Sequence, residues 1–108
     1  MYMEDIDVWN EKLFNILDEI SPIIKNKKLL VQEEIIKDGV VGIFNREKNK
    51  YLGFSLNQLD EKEGFGVSIC DIGANDEFWN CKSVGKLESD ENVLKMVRLV
   101  EKNLSKIY

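Results

Sequence analysis

The stretch LLVQEEIIKDGVVGIFNREKNKYLGFSL, residues 29–56, decides the fold. It holds two apolar-rich runs, Leu29 to Lys37 and Val40 to Phe44, split by Asp38-Gly39. Asp-Gly between such runs predicts a hairpin, because its tight turn needs positive φ at both central residues. The polar segment Asn45–Lys50 predicts a second turn. Tyr51 to Leu56 then reads as a third strand with Leu52, Phe54 and Leu56 on one face, the period-two signature of a half-buried strand. Downstream, Asn57 to Gly64 reads as an acidic loop and Phe65 to Ile72 as a fourth strand. Phe65, Val67 and Ile69 share one side of it, and Ser68 and Cys70 the other. Gly73-Ala74-Asn75-Asp76 reads as a turn, and Phe78 to Val84 as a weaker fifth strand.

Helices bracket this region. Trp9, Leu13, Ile16, Leu17, Ile20 and Ile24 recur at spacings of three and four, which predicts a helix over about 7–25 with one apolar face. Asp5 or Asp7 is its expected cap. Pro22 is expected to stop the regular helix near Ile20, since an internal proline loses a hydrogen bond and clashes with the preceding turn. At the other end, Val93, Met96, Val97, Val100, Leu104 and Ile107 make an apolar stripe, with Ser89 or Asp90 the expected cap and the end near Lys106. Short loops favour an antiparallel meander. The expected fold is therefore α+β: one domain over 1–108, a two-layer sandwich of four to five antiparallel strands flanked by an N-terminal and a C-terminal helix.

The net charge of −5 is concentrated. Residues 60–79 carry six acidic groups, Asp60, Glu61, Glu63, Asp71, Asp76 and Glu77, against the single cation Lys62. A field of one sign attracts a partner of the other and speeds its capture. Trp79, following Phe78 beside these acids, is the candidate aromatic anchor. Alternation is expected to send one of the two rings into the core and the other to the opposite face.

Several chemistries are disfavoured. There is no histidine, so imidazole-based triads are excluded and a zinc site lacks its usual ligands. The acids at 60–63 do not have EF-hand spacing, and no glycine pattern forms a phosphate loop, so neither metal nor cofactor is expected. Paired carboxylates such as Asp71 and Asp76 are the most an enzyme would have for acid–base work. The basic groups are too diluted for a nucleic-acid face. No run approaches the length of a membrane span, and the acidic start MYMEDIDVW lacks a signal-peptide pattern. A cytoplasmic location is therefore expected, with Cys70 and Cys81 as reduced thiols.

In overall character, the chain resembles the small acidic immunity proteins of bacterial polymorphic-toxin and contact-dependent growth inhibition systems. The resemblance spans the whole chain and rests on no motif. It implies a non-catalytic partner of a basic toxin domain, a nuclease above all, engaged through Asp60, Glu61, Glu63, Asp71, Asp76, Glu77 and Trp79. In size and charge the chain is also similar to type III secretion chaperones, which bind an effector segment as dimers. Nothing in the sequence indicates a homo-oligomer.

Overall fold

The computed structural model describes residues 3–31, 40–57, 64–88 and 92–108, and the side chains of these from residue 11 onward except 56 and 57. Their order is α1 (Met3–Asn26), β1 (Leu30–Val31), β2 (Val40–Asn45), β3 (Lys50–Asn57), β4 (Gly64–Ile72), a single 3-10 turn (Ala74–Asp76), β5 (Phe78–Glu88) and α2 (Val93–Leu104). The strands form one antiparallel sheet in the order β1-β2-β3-β4-β5, the expected meander. The Asp38-Gly39 turn lies outside the described residues.

Both helices cover one face of the sheet. Leu13, Ile16, Ile20 and Ile24 of α1 and Met96, Val97, Val100 and Leu104 of α2 meet Val41, Ile43, Leu52, Phe54, Phe65 and Val67 in a single buried cluster. These sheet residues occupy alternate positions, so one face of each strand is apolar and packed. Buried polar groups sit at the end of α2. Asn45 Nδ2 donates to the Ile107 carbonyl at 2.7 Å, fastening the end of β2 to the residues after α2. Asn103 Nδ2 donates to the Leu99 carbonyl at 2.9 Å.

Three details depart from expectation. α1 starts at Met3, so Asp5 and Asp7 lie within the helix and not at its cap. The helix also continues through Pro22. The ring is exposed, and the carbonyl deprived of its partner belongs to the exposed Asp18 on the outer side. The cap of α2 is Asn92, whose side chain accepts from the Lys95 N–H at 2.9 Å, in place of Ser89 or Asp90.

α1 ends instead at a left-handed residue, Lys28 (φ 56). The Leu29 N–H reaches the Ile24 carbonyl at 2.9 Å and the Lys28 N–H that of Lys25 at 3.3 Å. Leu29 and Ile24 are both buried, so this is the hydrophobic C-terminal motif normally built around glycine. Lys28→Gly removes the Cβ crowding of that conformation and is expected to stabilise the fold by about 0.5–1 kcal/mol. Equal or lower stability in urea titration would refute this account of the helix end.

Candidate functional site

The site is built where the β2–β3 turn meets the β4–β5 hairpin. The two are joined at several points. The Ile72 N–H donates to the Asn49 carbonyl at 2.8 Å, and the Gly73 N–H to the Glu77 carbonyl at 2.7 Å, closing the loop. Asn49, Asn75, Asp76 and Asn80 all have φ between 53 and 62, a conformation that Asn and Asp tolerate better than other side chains. Arg46 Nη1 pairs with Asp76 Oδ1 at 2.5 Å, bridging the two loops. Lys50 pairs with Asp71. Asn80 Nδ2 donates to the second Asp71 oxygen at 3.0 Å.

Cys70 and Cys81 are bonded in a disulfide, Cα atoms 4.1 Å apart. This corrects the expectation of two reduced thiols. The cause is a double irregularity in the β4–β5 ladder. Register shifts fall between Val67 and Ser68 and between Ile69 and Asp71. The second places Asn80 and Cys81 together opposite Cys70, as a bulge does.

The predicted site residues divide into three groups. Asp60, Glu61 and Glu63 lie outside the described residues. Asp71 and Asp76 are each neutralised within the chain, by Lys50 and Arg46. The hydrogen bonds from Lys50 and then Asn80 hold the Asp71 carboxyl below the usual range, with Lys82 adding attraction. Glu77 and Trp79 are exposed. The expected division of the aromatic pair, one ring buried, does not hold. Phe78 is 50% and Trp79 55% exposed, because both lie on β5 at the edge of the sheet. Trp79 lies across Gly73, whose missing side chain leaves the room. Phe78 packs on the helix-free face with Tyr51 (centroids 4.4 Å) and Phe44 (6.4 Å).

No family model, curated protein or solved structure matches this chain.

The local field is therefore different from the sequence picture. Lys50, Lys82 and Lys106 line an open cleft with Asp71 and Asn80, so the described part of the acidic window is interleaved with cations. Sequence reasoning missed these partners because Lys50 faces Asp71 only through the β3–β4 register. It also missed the cluster of Phe44, Tyr51, Ile72 and Cys70 on the helix-free face; Cys70 and Ile72 do alternate along β4, which is the part of the signal that sequence offers, while Tyr51 joins them only through the β3–β4 register. Among the described residues, no three acidic or sulfur side chains gather as a metal ion would require.

Proposed function

We propose that this chain is an immunity protein: a non-catalytic partner that binds a cognate bacterial toxin domain and blocks it. The observation that supports the reading best is the hairpin over 71–80. It holds two large aromatic side chains half in solvent on a backbone braced by a disulfide, two ion pairs and a closed loop. Aromatic anchors dominate protein interfaces, and a braced segment loses little entropy when it docks. In this reading Trp79 and Phe78 are the anchors and Glu77 a steering charge, with Asp60, Glu61 and Glu63 as further acids toward a basic, nuclease-type toxin. Asp71 and Asp76 act as braces of the hairpin.

The disulfide bears on location. Such bridges persist in oxidising compartments and are rare in the cytosol, so Cys70–Cys81 argues against the cytoplasmic expectation. Among the described residues, no helix is long and apolar enough to cross a membrane.

The test is capture from native lysate at low salt with salt-gradient elution, comparing the wild-type chain with Trp79→Ala. A basic toxin domain should be retained by the wild type and bound at least about tenfold more weakly by the variant, the scale of an interface hot spot. Equal retention would remove Trp79 from the site. Recovery of a secreted effector by a dimeric chain would replace this reading with the chaperone one.

A further inference from the structure

The fold gathers cations that are scattered along the chain. The end of α1, the β2–β3 turn, the β4–β5 hairpin and the residues after α2 meet at one end of the sandwich. Leu30 pairs with Phe44 just beyond the end of α1. Lys27 lies over the Tyr108 ring at 5.0 Å, Lys48 donates to the Tyr108 carbonyl, and the Ile72 N–H donates to the Asn49 carbonyl. Segments 25–28, 45–50, 70–82 and 102–108 carry nine cations and four carboxylates, a net of +5. The rest of the chain carries six cations and sixteen carboxylates, a net of −10. Both helices terminate at the cationic end, and their negative dipole ends favour the lysines at 25–28 and 102–106. The dipoles do not account for Lys48, Lys50 and Lys82, which stand on the sheet and its turn.

Lys50, Lys82 and Lys106, from three separate parts of the chain, line an open cleft of about 580 Å³ over Ile69 and Val84. Asp71 in the same lining already accepts from Lys50 and Asn80. Three like charges held around one cleft repel one another, and an anion between them relieves this. An aromatic ring stands beside the cleft. Trp79 is the register partner of Asp71, so the two lie on the same face of the sheet. Its ring rests on Gly73 and is 55% exposed. A cationic groove next to an open aromatic platform is how proteins hold unpaired strands, with phosphates on the cations and a base on the ring. The residue type favours phosphate over a protein partner. Eight of the nine cations are lysine, which is depleted at protein interfaces and meets phosphate as a point charge. The acids elsewhere do not forbid this. Their field is screened over roughly 10 Å at 0.1 M salt, and the protein is 38 Å long.

We infer that this end of the sandwich binds single-stranded nucleic acid without regard to its sequence. The phosphates lie along Lys50, Lys82 and Lys106, with Lys48 and Lys27 continuing the track past Tyr108, and one base stacks on Trp79. Lys50 and Lys82 stand two strands apart, roughly 10 Å by strand geometry, so a chain of phosphates crossing the cleft meets several cations at once. The inference does not rest on the toxin-binding reading and shares only Trp79 with it.

The experiment is fluorescence anisotropy of a labelled thymidine strand of about 15 nucleotides, titrated with the purified chain at low salt and then through a salt series. Saturable binding is expected with Kd of about 1–100 µM, the range of sequence-independent contacts. Log affinity should fall with log salt at a slope of about −2, or about −0.7 for each of three cations. Lys82→Gln with Lys106→Gln changes two exposed side chains and should leave Tm unmoved. It should weaken binding at least about tenfold and flatten the slope by about 1.4. Trp79→Ala should weaken binding at least about fivefold at every salt concentration and keep the slope. Lys86→Gln, on the same strand but outside the cleft, should do neither. Absence of saturation would overturn the inference. So would a slope that the double variant leaves unchanged, an equal loss from Lys86→Gln, or equal affinity for poly-glutamate of the same charge. Toxin capture is a separate readout, so either reading can fail alone.

Discussion

Phe65→Ala lowers the unfolding free energy by about 3–5 kcal/mol, the cost of emptying a large buried aromatic site. Phe65 is fully buried in β4, beneath both helices. Its ring centroid lies 5.8 Å from that of Phe54 on the neighbouring strand, in a tilted arrangement that favours aromatic pairs. Truncation therefore loses buried area and the ring pair together, and leaves a cavity where sheet and helices meet. Against a total of roughly 5–15 kcal/mol for a domain, this is a large part of the stability. Urea unfolding should show a lower midpoint with an unchanged slope. Ser68→Ala, three residues on but facing away from the helices, should change stability by no more than about 0.5 kcal/mol. A Phe65→Ala loss as small as the Ser68→Ala change would mean that the helices do not cover this face.

The next largest effect is expected from the disulfide. Replacing both Cys70 and Cys81 by Ser should cost about 2–3 kcal/mol, from the entropy of closing a loop of sequence separation 11 in the unfolded chain. For a chain of this size that lowers Tm by roughly 10–20 °C. The loss begins at the hairpin, because the bond fastens β4 to the bulge that follows the exposed Trp79. Hydrogen exchange should therefore quicken at Gly73, whose N–H bonds to the Glu77 carbonyl, before it quickens at core positions such as Val67. A reductant should lower the Tm of the wild type and leave the double-serine variant unmoved. A wild-type Tm indifferent to reductant would show that the two thiols are not bridged.

How far the sequence was legible depended on whether the information was local. The α2 stripe from Val93 to Ile107 and the alternation of Leu52, Phe54, Phe65 and Val67 follow from simple periods, and these residues form the core. The strand β5 was harder. Its two register shifts change the phase of the alternation, so FWNCKSVGKLE presents no single period, and the strand runs on to Glu88, past the expected Val84. The same shifts bring Cys81 against Cys70, a pairing that composition alone argued against. Pro22 misled because the rule against internal proline does not say which side of the helix it faces, and here it faces solvent. For the candidate site, the exposure of Glu77 was open to local reading, but that of both rings was not, since alternation buries one of Phe78 and Trp79. The neutralisation of Asp71 and Asp76 was not, since Lys50 and Arg46 are 21 and 30 residues away in sequence.

The two bulges of β5 have a consequence for self-association. An open sheet ends in a strand with unpaired backbone groups, a template onto which another copy of the chain could add and begin a fibre. Among the described residues β5 is one such strand, β1 being the other, and β5 carries apolar residues enough to be sticky. It is also kinked twice and bears Lys82 and Lys86. A flat incoming strand cannot match such a border over its length, and a second copy would bring its own lysines against these. The irregularity that hid β5 from pattern reading thus works against growth at this border, and restoring a regular register there should favour edge-to-edge polymerisation.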